Sequence, residues 1–299
     1  MRFSSRNVRW AAGQMGRIAL APGLPIPVQR RRSEMVAGFL RPPRQARIRA
    51  ASEGGIRGEW IEYDSPAPRG ILLYLHGGGY VLGSPKGHRS MVARLTRACA
   101  VRTFSADYRL APEHSFPCAL DDVLAVYRAL SASGEPIVVA GDSAGGGLAL
   151  ALAMAVRDAA GEPPAAVAMI CPWLDLTAEG ARLRGTAPRE PLLTPDALAR
   201  WAEAYTTDAT DPLVSPLLGN LAGLPPLVLH SAGDDLLADD ADRLTRRAHQ
   251  QGAHIEHRRY PGRWHAFHLF GGLCGSADEA IADLAAGVRS HLPARRPAL

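Results

Sequence analysis

Lysine is almost absent from this 299-residue chain, although lysine and arginine together number 34. The only lysine, Lys86, stands between Pro85 and Gly87, so it cannot complete the Gly-Lys-Ser/Thr sequence of a Walker A loop. Nothing around it suggests a lysine that forms a Schiff base with a substrate or with PLP. The chain also lacks a Gly-x-Gly-x-x-Gly fingerprint. We therefore expect no nucleotide and, more generally, no cofactor.

Long apolar runs and paired cysteines are also missing. No run approaches the roughly 18 apolar residues that indicate a transmembrane helix, and the longest candidate spans residues 144–156. The N-terminal stretch is broken by polar residues and prolines, which is a poor pattern for a signal peptide. The four cysteines are widely spaced and predict reduced thiols: Cys99, Cys118, Cys171 and Cys274. We expect a cytoplasmic protein without integral membrane association.

Charge is distributed unevenly along the chain. Residues 1–50 contain eleven arginines and one acid, Glu34, whereas the whole chain has a formal net charge of +5. Such a segment would suit nucleic acid or anionic lipid, but no nucleic-acid-binding motif accompanies it. Trp10, Met15, Ile18 and Leu20 interleave with the arginines, as in an amphipathic lid helix. We interpret the arginines as a solvated helical face and expect no nucleic-acid partner.

From about residue 55, short apolar runs alternate with helical patterns. The predicted strands are 71–75, 101–106, 137–140, 167–171 and 227–230, with an edge strand at 255–260. The predicted helices are 91–98, 120–130, 144–156, 195–205, 236–250 and 278–290. This alternation predicts an α/β fold, in which helices flank a mostly parallel sheet. Residues 178–205 exceed a simple crossover and suggest an inserted flap.

The motif Gly-Asp-Ser-Ala-Gly at residues 141–145 lies between a predicted strand and a predicted helix. This is the context of a nucleophile elbow, in which the serine occupies a strained turn. Glycine is needed on both sides because a Cβ there would collide with neighbouring backbone. The following helix offers its N-terminal amides to a developing oxyanion. We predict that Ser143 is a nucleophile.

Three glycines follow the earlier strand 71–75, in the sequence His-Gly-Gly-Gly-Tyr at residues 76–80. Their functional interpretation is a loop whose amides, at Gly77 and Gly78, point at a substrate carbonyl oxygen. The alternative is a flexible turn without a catalytic role. His76, which precedes the glycines, is better interpreted as a structural hydrogen-bonding residue.

A serine nucleophile needs a base, and the base needs an orienting acid, in the chain order Ser, acid, His. His265 lies in a loop after the last predicted strand and is preferred over His268. No Cys/His/Asp cluster accompanies these two histidines, so we expect no metal. Asp234 and Asp235 follow the penultimate strand, and spacing alone does not separate them.

Taken together, these motifs resemble the hormone-sensitive-lipase family of α/β-hydrolases, the bacterial family IV carboxylesterases. The stretches 107–114, 172–177 and 224–226 add to the resemblance, which covers roughly residues 55–290. It implies an α/β-hydrolase fold with a helical cap and selects Asp235 as the acid, although Leu236 replaces the family's proline. It also implies that Gly77, Gly78 and Ala144 supply the oxyanion amides.

The resemblance implies a cap formed by residues 1–50 and a further segment near 178–205, with 51–299 as the catalytic domain. It implies a serine carboxylesterase for short- to medium-chain acyl esters. The open alternatives are an amidase or lactone hydrolase on the same triad, a non-catalytic ligand receptor, and a membrane-surface protein that uses the basic arm. The residues nearest the motifs are our candidates for the substrate pocket: Tyr80, Leu82, Trp173 and Phe267. The edge strand permits a homodimer without requiring one.

Overall fold

The computed structural model describes residues 3–21, 23–64, 67–183, 187 and 189–294. Within these ranges one sheet contains eight strands: β1 Arg47–Glu53, β2 Ile56–Glu62, β3 Ile71–Leu75, β4 Arg102–Ala106, β5 Ile137–Asp142, β6 Ala166–Ile170, β7 Leu227–Ala232 and β8 Ile255–Tyr260. Their spatial order is β1-β2-β4-β3-β5-β6-β7-β8. Strands β3 to β8 are parallel, whereas β2 is antiparallel to both β1 and β4. The predicted mostly parallel sheet is confirmed.

All six predicted strands are present, and β8 lies at an edge of the sheet as predicted. The central strands could be predicted from the sequence because both of their faces are covered. Every residue of β3, for example, is apolar and buried. Strands β1 and β2 were not predicted. Strand β1 forms the other edge, carries Arg47 and Arg49 on exposed positions, and buries none of its side chains fully.

The helices in the described ranges are α1 Ser5–Ala19, α2 Ile26–Ala37, α3 Pro85–Cys99, α4 Cys118–Ser131, α5 Ala144–Asp158, α6 Ala178–Leu183, α7 Pro195–Tyr205, α8 Ala238–Gln250 and α9 Gly275–Ser290. Two 3-10 helices span Pro216–Leu218 and Phe267–Phe270. Three of the α-helices begin with the side-chain oxygen of Ser4, Ser84 or Thr194 accepting a backbone N–H of the first turn. The six predicted helices are present, most of them longer than predicted. No helix in the described part of the chain is long and apolar enough to cross a membrane.

Two apolar layers enclose the sheet, and α5 is buried almost all round in the larger layer. Its sequence alternates alanine and leucine over residues 148–153, which lets the helix pack closely against β5 and β6. Because β5 ends at Asp142 and α5 begins at Ala144, Ser143 alone connects the central strand to the central helix.

Helices α1 and α2 form the part of residues 1–50 that precedes the sheet, and the segment 178–205 contains α6 and α7. The boundary placed at residue 50 falls inside β1. The predicted lid face of α1 is wrong in part. Trp10 and Ile18 are exposed, and the buried side of the helix consists of smaller residues, namely Val8, Ala12, Gly13, Gly16 and Ala19. Gly16 lets α1 approach residues 191 and 192 closely, since a Cβ there would lie 2.9 Å from the Pro191 carbonyl oxygen.

Candidate active site

Ser143 occupies a strained turn, with φ 53° and ψ −124°, between β5 and α5. The two flanking glycines are sterically required. A Cβ on Gly141 would lie 2.2 Å from the Gly145 carbonyl oxygen, and one on Gly145 would lie 2.1 Å from the Leu75 carbonyl oxygen. Non-glycine residues at positive φ are costly, and such strain concentrates at functional sites. The turn therefore has the geometry of a nucleophile elbow and presents Ser143 to a cavity.

A hydrogen bond of 3.0 Å joins His265 Nδ1 to Asp235 Oδ2. Both side chains are buried, and the other oxygen of Asp235 accepts the backbone N–H of Leu237 at 2.8 Å. Asp234 points elsewhere and pairs with Arg9 at 2.8 Å. The geometry thus separates the two carboxylates that spacing left open. His265 and Ser143 line the same cavity.

The environment of His265 favours its protonated form. Burial opposes protonation, but the adjacent carboxylate of Asp235 and its hydrogen bond outweigh that cost, with a smaller contribution from Glu190. The pKa of His265 is therefore raised above its usual 6.5. An imidazole in this setting is a stronger base than a free one.

In the glycine loop, one of the amides expected to bind the oxyanion is already hydrogen-bonded within the protein. The N–H of Gly77 donates to Asp142 Oδ1 at 2.9 Å, so the expectation that Gly77 supplies an oxyanion amide is wrong. The amides of Gly78, Gly79 and Ala144 donate to no other residue of the described chain. Gly78 and Gly79 both line the cavity beside Ser143. Two unoccupied amides therefore lie on the cavity wall, and a third, that of Ala144, directly follows Ser143 in the chain.

Asp142 anchors the loop from below. Its carboxylate accepts the hydroxyl of Tyr74 at 2.7 Å and the amide of Gly77, and lies 3.5 Å from Nε2 of His88. Burial alone would raise its pKa, but His88 and these hydrogen bonds lower the pKa to about 2. The same contact raises the pKa of His88 against the effect of burial. His76 fits its expected structural role, with Nδ1 2.9 Å from the Gly77 carbonyl oxygen and its ring stacked on Tyr108.

A cavity of about 190 Å³ lies over Ser143 and His265. Its walls combine the glycine loop with apolar residues of the cap and of the His265 loop: Met15, Ala19, Leu20, Val36, Ala37, Leu40, Leu82, Leu192, Leu193, Trp201, Leu269 and Phe270. The cavity is therefore largely apolar, and α1 and α2 bound it on the side of the cap.

Of the four residues expected in the pocket, only Leu82 lines the cavity. The prediction for Tyr80 is wrong, because its ring stacks on that of Tyr205 with 3.9 Å between the ring centroids. Trp173 lies in the core and donates to the Asp175 carbonyl oxygen, and Phe267 packs between aromatic rings below the site. Closeness to a motif along the chain does not determine the direction of a side chain.

Glu190, in the flap between α6 and α7, contacts the histidine loop and was not predicted. Its Oε2 accepts the backbone N–H of His265 at 2.8 Å, and its Oε1 accepts the amide of Leu192 at 2.8 Å. Burial, followed by the charge of Asp235, raises the pKa of Glu190 to about 7. No sequence signal marked this residue, because the contact spans 75 residues of chain.

Arg9 of α1 was missed as well. Its guanidinium pairs with Asp234, donates to the carbonyl oxygen of Arg189, and lies 5.9 Å from the ring centroid of Trp264. These three partners precede Asp235, Glu190 and His265 directly in the sequence. One side chain of the cap therefore holds three segments that build the site.

Two groups of residues in the described chain are close enough to hold a metal ion. Cys171, Asp235 and His265 form the first, but burial and the Asp235 carboxylate raise the pKa of the Cys171 thiol, which disfavours the thiolate that a metal requires. The second is a surface group of His254, Glu256 and His291, remote from the cavity lining. The chemistry of the first group therefore does not fit a metal, and the second group does not line the cavity.

Comparison with known proteins gives consistent results. A family profile described as the α/β-hydrolase fold matches residues 72–269. LipR of Mycobacterium tuberculosis strain H37Rv is 42% identical over 259 residues, which cover 84% of this chain and 83% of LipR. An acetyl-hydrolase of Streptomyces hygroscopicus is 41% identical over 222 residues, 73% of this chain and 74% of that protein. The crystal structure of an esterase from the bacterial hormone-sensitive lipase family has a TM-score of 0.89 at 32% identity, and the match covers 97% of this chain and 99% of that one.

Proposed function

This chain belongs to the hormone-sensitive-lipase family of α/β-hydrolases and is a carboxylic ester hydrolase, and we propose that it cleaves esters through a Ser143–His265–Asp235 triad. The 3.0 Å contact between His265 and Asp235, beside a cavity that both His265 and the strained Ser143 line, is the observation that carries the proposal. This arrangement brings a nucleophile, a base and an orienting acid together at one cavity.

In the proposed reaction, the hydroxyl oxygen of Ser143 attacks the ester carbonyl carbon while His265 accepts the hydroxyl proton. His265 then gives this proton to the leaving alcohol, and an acyl-serine remains. A water molecule attacks the acyl carbon, again with His265 as base, and releases the carboxylic acid. Asp235 holds the imidazole in the required orientation and stabilises its positive charge.

The amides of Gly78, Gly79 and Ala144 are proposed to stabilise the negative oxygen of the tetrahedral intermediate. Their support is that none of them donates to another described residue, that Gly78 and Gly79 line the cavity with Ser143, and that Ala144 directly follows Ser143. Donors of this kind contribute about 3–4 kcal/mol each to transition-state stabilisation. Gly77 acts indirectly, because its bond to Asp142 fixes the loop.

We propose esters of short acyl chains as substrates, with medium chains as the upper limit. The cavity volume of about 190 Å³ is below the roughly 300–1,000 Å³ of typical ligand pockets. That small volume favours a short acyl chain over a long fatty chain, and the apolar walls suit a hydrocarbon. The name of the Streptomyces relative, an acetyl-hydrolase, points in the same direction.

The test is hydrolysis of p-nitrophenyl esters from acetate to palmitate by the wild type, Ser143→Ala and the exposed control Ser290→Ala. We expect a short-chain optimum, a loss of several orders of magnitude in kcat for Ser143→Ala, and wild-type rates for Ser290→Ala. Equal rates for the two variants would refute Ser143 as the nucleophile. An optimum at palmitate would refute the proposed size limit. Turnover of amides or lactones but of no ester would replace the proposed substrate class.

A further inference from the structure

Large apolar side chains are exposed mainly on the two N-terminal helices. Seven are exposed in the described chain, and six of them lie within residues 3–39: Phe3, Trp10, Ile18, Val28, Met35 and Phe39. The seventh is Leu218. The exposed fractions of Trp10, Met35 and Phe39 reach 69%, 60% and 77%. Isolated exposed apolar residues are ordinary, but a concentration of them in one short segment marks an interaction surface.

These residues occupy the outward side of a wall whose inward side lines the cavity. Along α2 and just past its end, Val28, Arg31, Met35 and Phe39 follow one another at intervals of three, four and four, which places them on one face. Ser33, Val36 and Ala37 of the same helix face the cavity. Arg32 donates to the carbonyl oxygen of Ile18 at 3.1 Å, so the exposed ends of α1 and α2 are adjacent.

Exposed arginines lie among the apolar residues. Arg6, Arg17 and Arg31 are exposed and form no ion pair with any residue in the described ranges. We call the set of Trp10, Ile18, Val28, Met35 and Phe39, with Arg6, Arg17 and Arg31, the outer cap face.

We propose that the outer cap face docks on an anionic phospholipid surface. Its apolar side chains would enter the boundary between headgroups and acyl chains, while its arginines bind lipid phosphates. Charge complementarity selects this occupant. A second copy docking through the same face would bring like-charged arginines together, and a nucleic acid would leave Met35 and Phe39 against a polar backbone.

Trp10 provides a direct readout, because it is the only exposed tryptophan of the five. The other four are buried: Trp60, Trp173, Trp201 and Trp264. Vesicles of phosphatidylcholine with phosphatidylglycerol, mixed with the full chain at low salt, are expected to sediment the protein and shift its tryptophan emission to shorter wavelength. Pure phosphatidylcholine vesicles are expected to do neither, and added salt should reverse the binding. Trp10→Phe should abolish the emission shift.

Two pairs of matched variants separate charge from apolar contact. Arg17→Gln with Arg31→Gln should weaken vesicle binding about fivefold for each arginine, whereas the exposed pair Arg128→Gln with Arg246→Gln should not. Met35→Ser with Phe39→Ser should weaken it by about tenfold or more, and Leu218→Ser should have no effect. Circular dichroism and thermal unfolding establish that each variant is folded, independently of esterase activity.

Several outcomes would overturn the proposal. One is equal binding to both kinds of vesicle, or to neither. Another is wild-type binding by both variants of the outer cap face. A lipid-free emission shift that grows with protein concentration would assign the face to a second copy, and a shift produced by duplex DNA alone would assign it to nucleic acid.

Discussion

The carboxylate of Glu190 accepts the backbone N–H of His265 at 2.8 Å, so the flap is bonded directly to the loop that carries the proposed base. The same carboxylate lies near Asp235, whose charge, after burial, raises the pKa of Glu190 to about 7. Glu190 in turn helps to raise the pKa of His265. Its effects on His265 are therefore both geometric and electrostatic.

Glu190→Gln should move the acidic limb of the kcat/KM profile to lower pH. Removing the negative charge makes it easier for His265 to lose its proton, so the unprotonated base persists to lower pH. Glu190→Ala also leaves the buried His265 amide without a partner, which costs about 1–3 kcal/mol. The measurement is the pH dependence of ester hydrolysis for both variants. Loss of activity with an unmoved acidic limb would show that Glu190 acts on geometry alone.

Arg9→Met should lower kcat by about 10- to 100-fold, because small displacements of catalytic groups are expensive. The variant keeps an unbranched stem but loses the contacts to Asp234, Arg189 and Trp264. Arg6→Met, on the same helix and exposed without an ion pair in the described chain, is the matched control. The measurement is kcat of both variants and of the wild type, from steady-state kinetics on a water-soluble ester. Equal rates for both variants would exclude a positioning role for Arg9.

Met15→Ala should shift the acyl-chain preference upward. Met15 lines the cavity, and its truncation would admit additional methylenes, each worth about 0.8 kcal/mol, or roughly fourfold, in apolar burial. Met35→Ala on the outer cap face makes the same chemical change away from the cavity. The ratio of kcat/KM for hexanoate to that for acetate should rise only in Met15→Ala. An unchanged ratio would mean that the acyl chain does not reach α1.

The free energy of unfolding should fall as the pH is lowered from about 6.5 towards 3. Burial lowers the pKa of His76 and of His268 to about 3, so between these values the unfolded chain binds protons that the folded chain does not. Each such histidine costs about 1.4 kcal/mol per pH unit in this window. His268→Gln should reduce the slope of the unfolding free energy against pH by the contribution of one histidine. His254→Gln, at an exposed site, should leave the slope unchanged. Denaturant unfolding at pH 7 and pH 5 measures both.

Most of the sheet was predictable because buried parallel strands are continuous apolar runs, as in Ile71–Leu75. The order of strand ends then placed Ser143 and His265 in loops that meet at one edge. Arg47–Glu53 escaped detection, because an edge strand with exposed arginines lacks both an apolar run and a buried face.

The finer features of the site depend on where backbone amides and side chains point, and the spacing of residues along the sequence does not determine this. Gly77 and Gly78 are adjacent and identical in sequence, and only the course of the backbone distinguishes their amides. It directs the N–H of Gly77 to the carboxylate of Asp142. Tyr80 adjoins the motif yet stacks on Tyr205. Glu190 and Arg9 reach the site through contacts of 75 and 225 residues in sequence separation, which local patterns do not reveal.

Helix α2 is a wall one helix thick, with cavity residues and outward residues interleaved along its twelve positions. Each residue advances the helix by about 100°, so inserting or deleting one residue inside α2 would rotate all later positions together. A one-residue deletion before Met35 would move Met35 to the position of Glu34, which lines the cavity, and Val36 to the outward position of Met35. Substitutions can therefore alter either face of α2 independently, whereas changes in length are confined to the connecting residues 23–25 and 41–46, outside both faces.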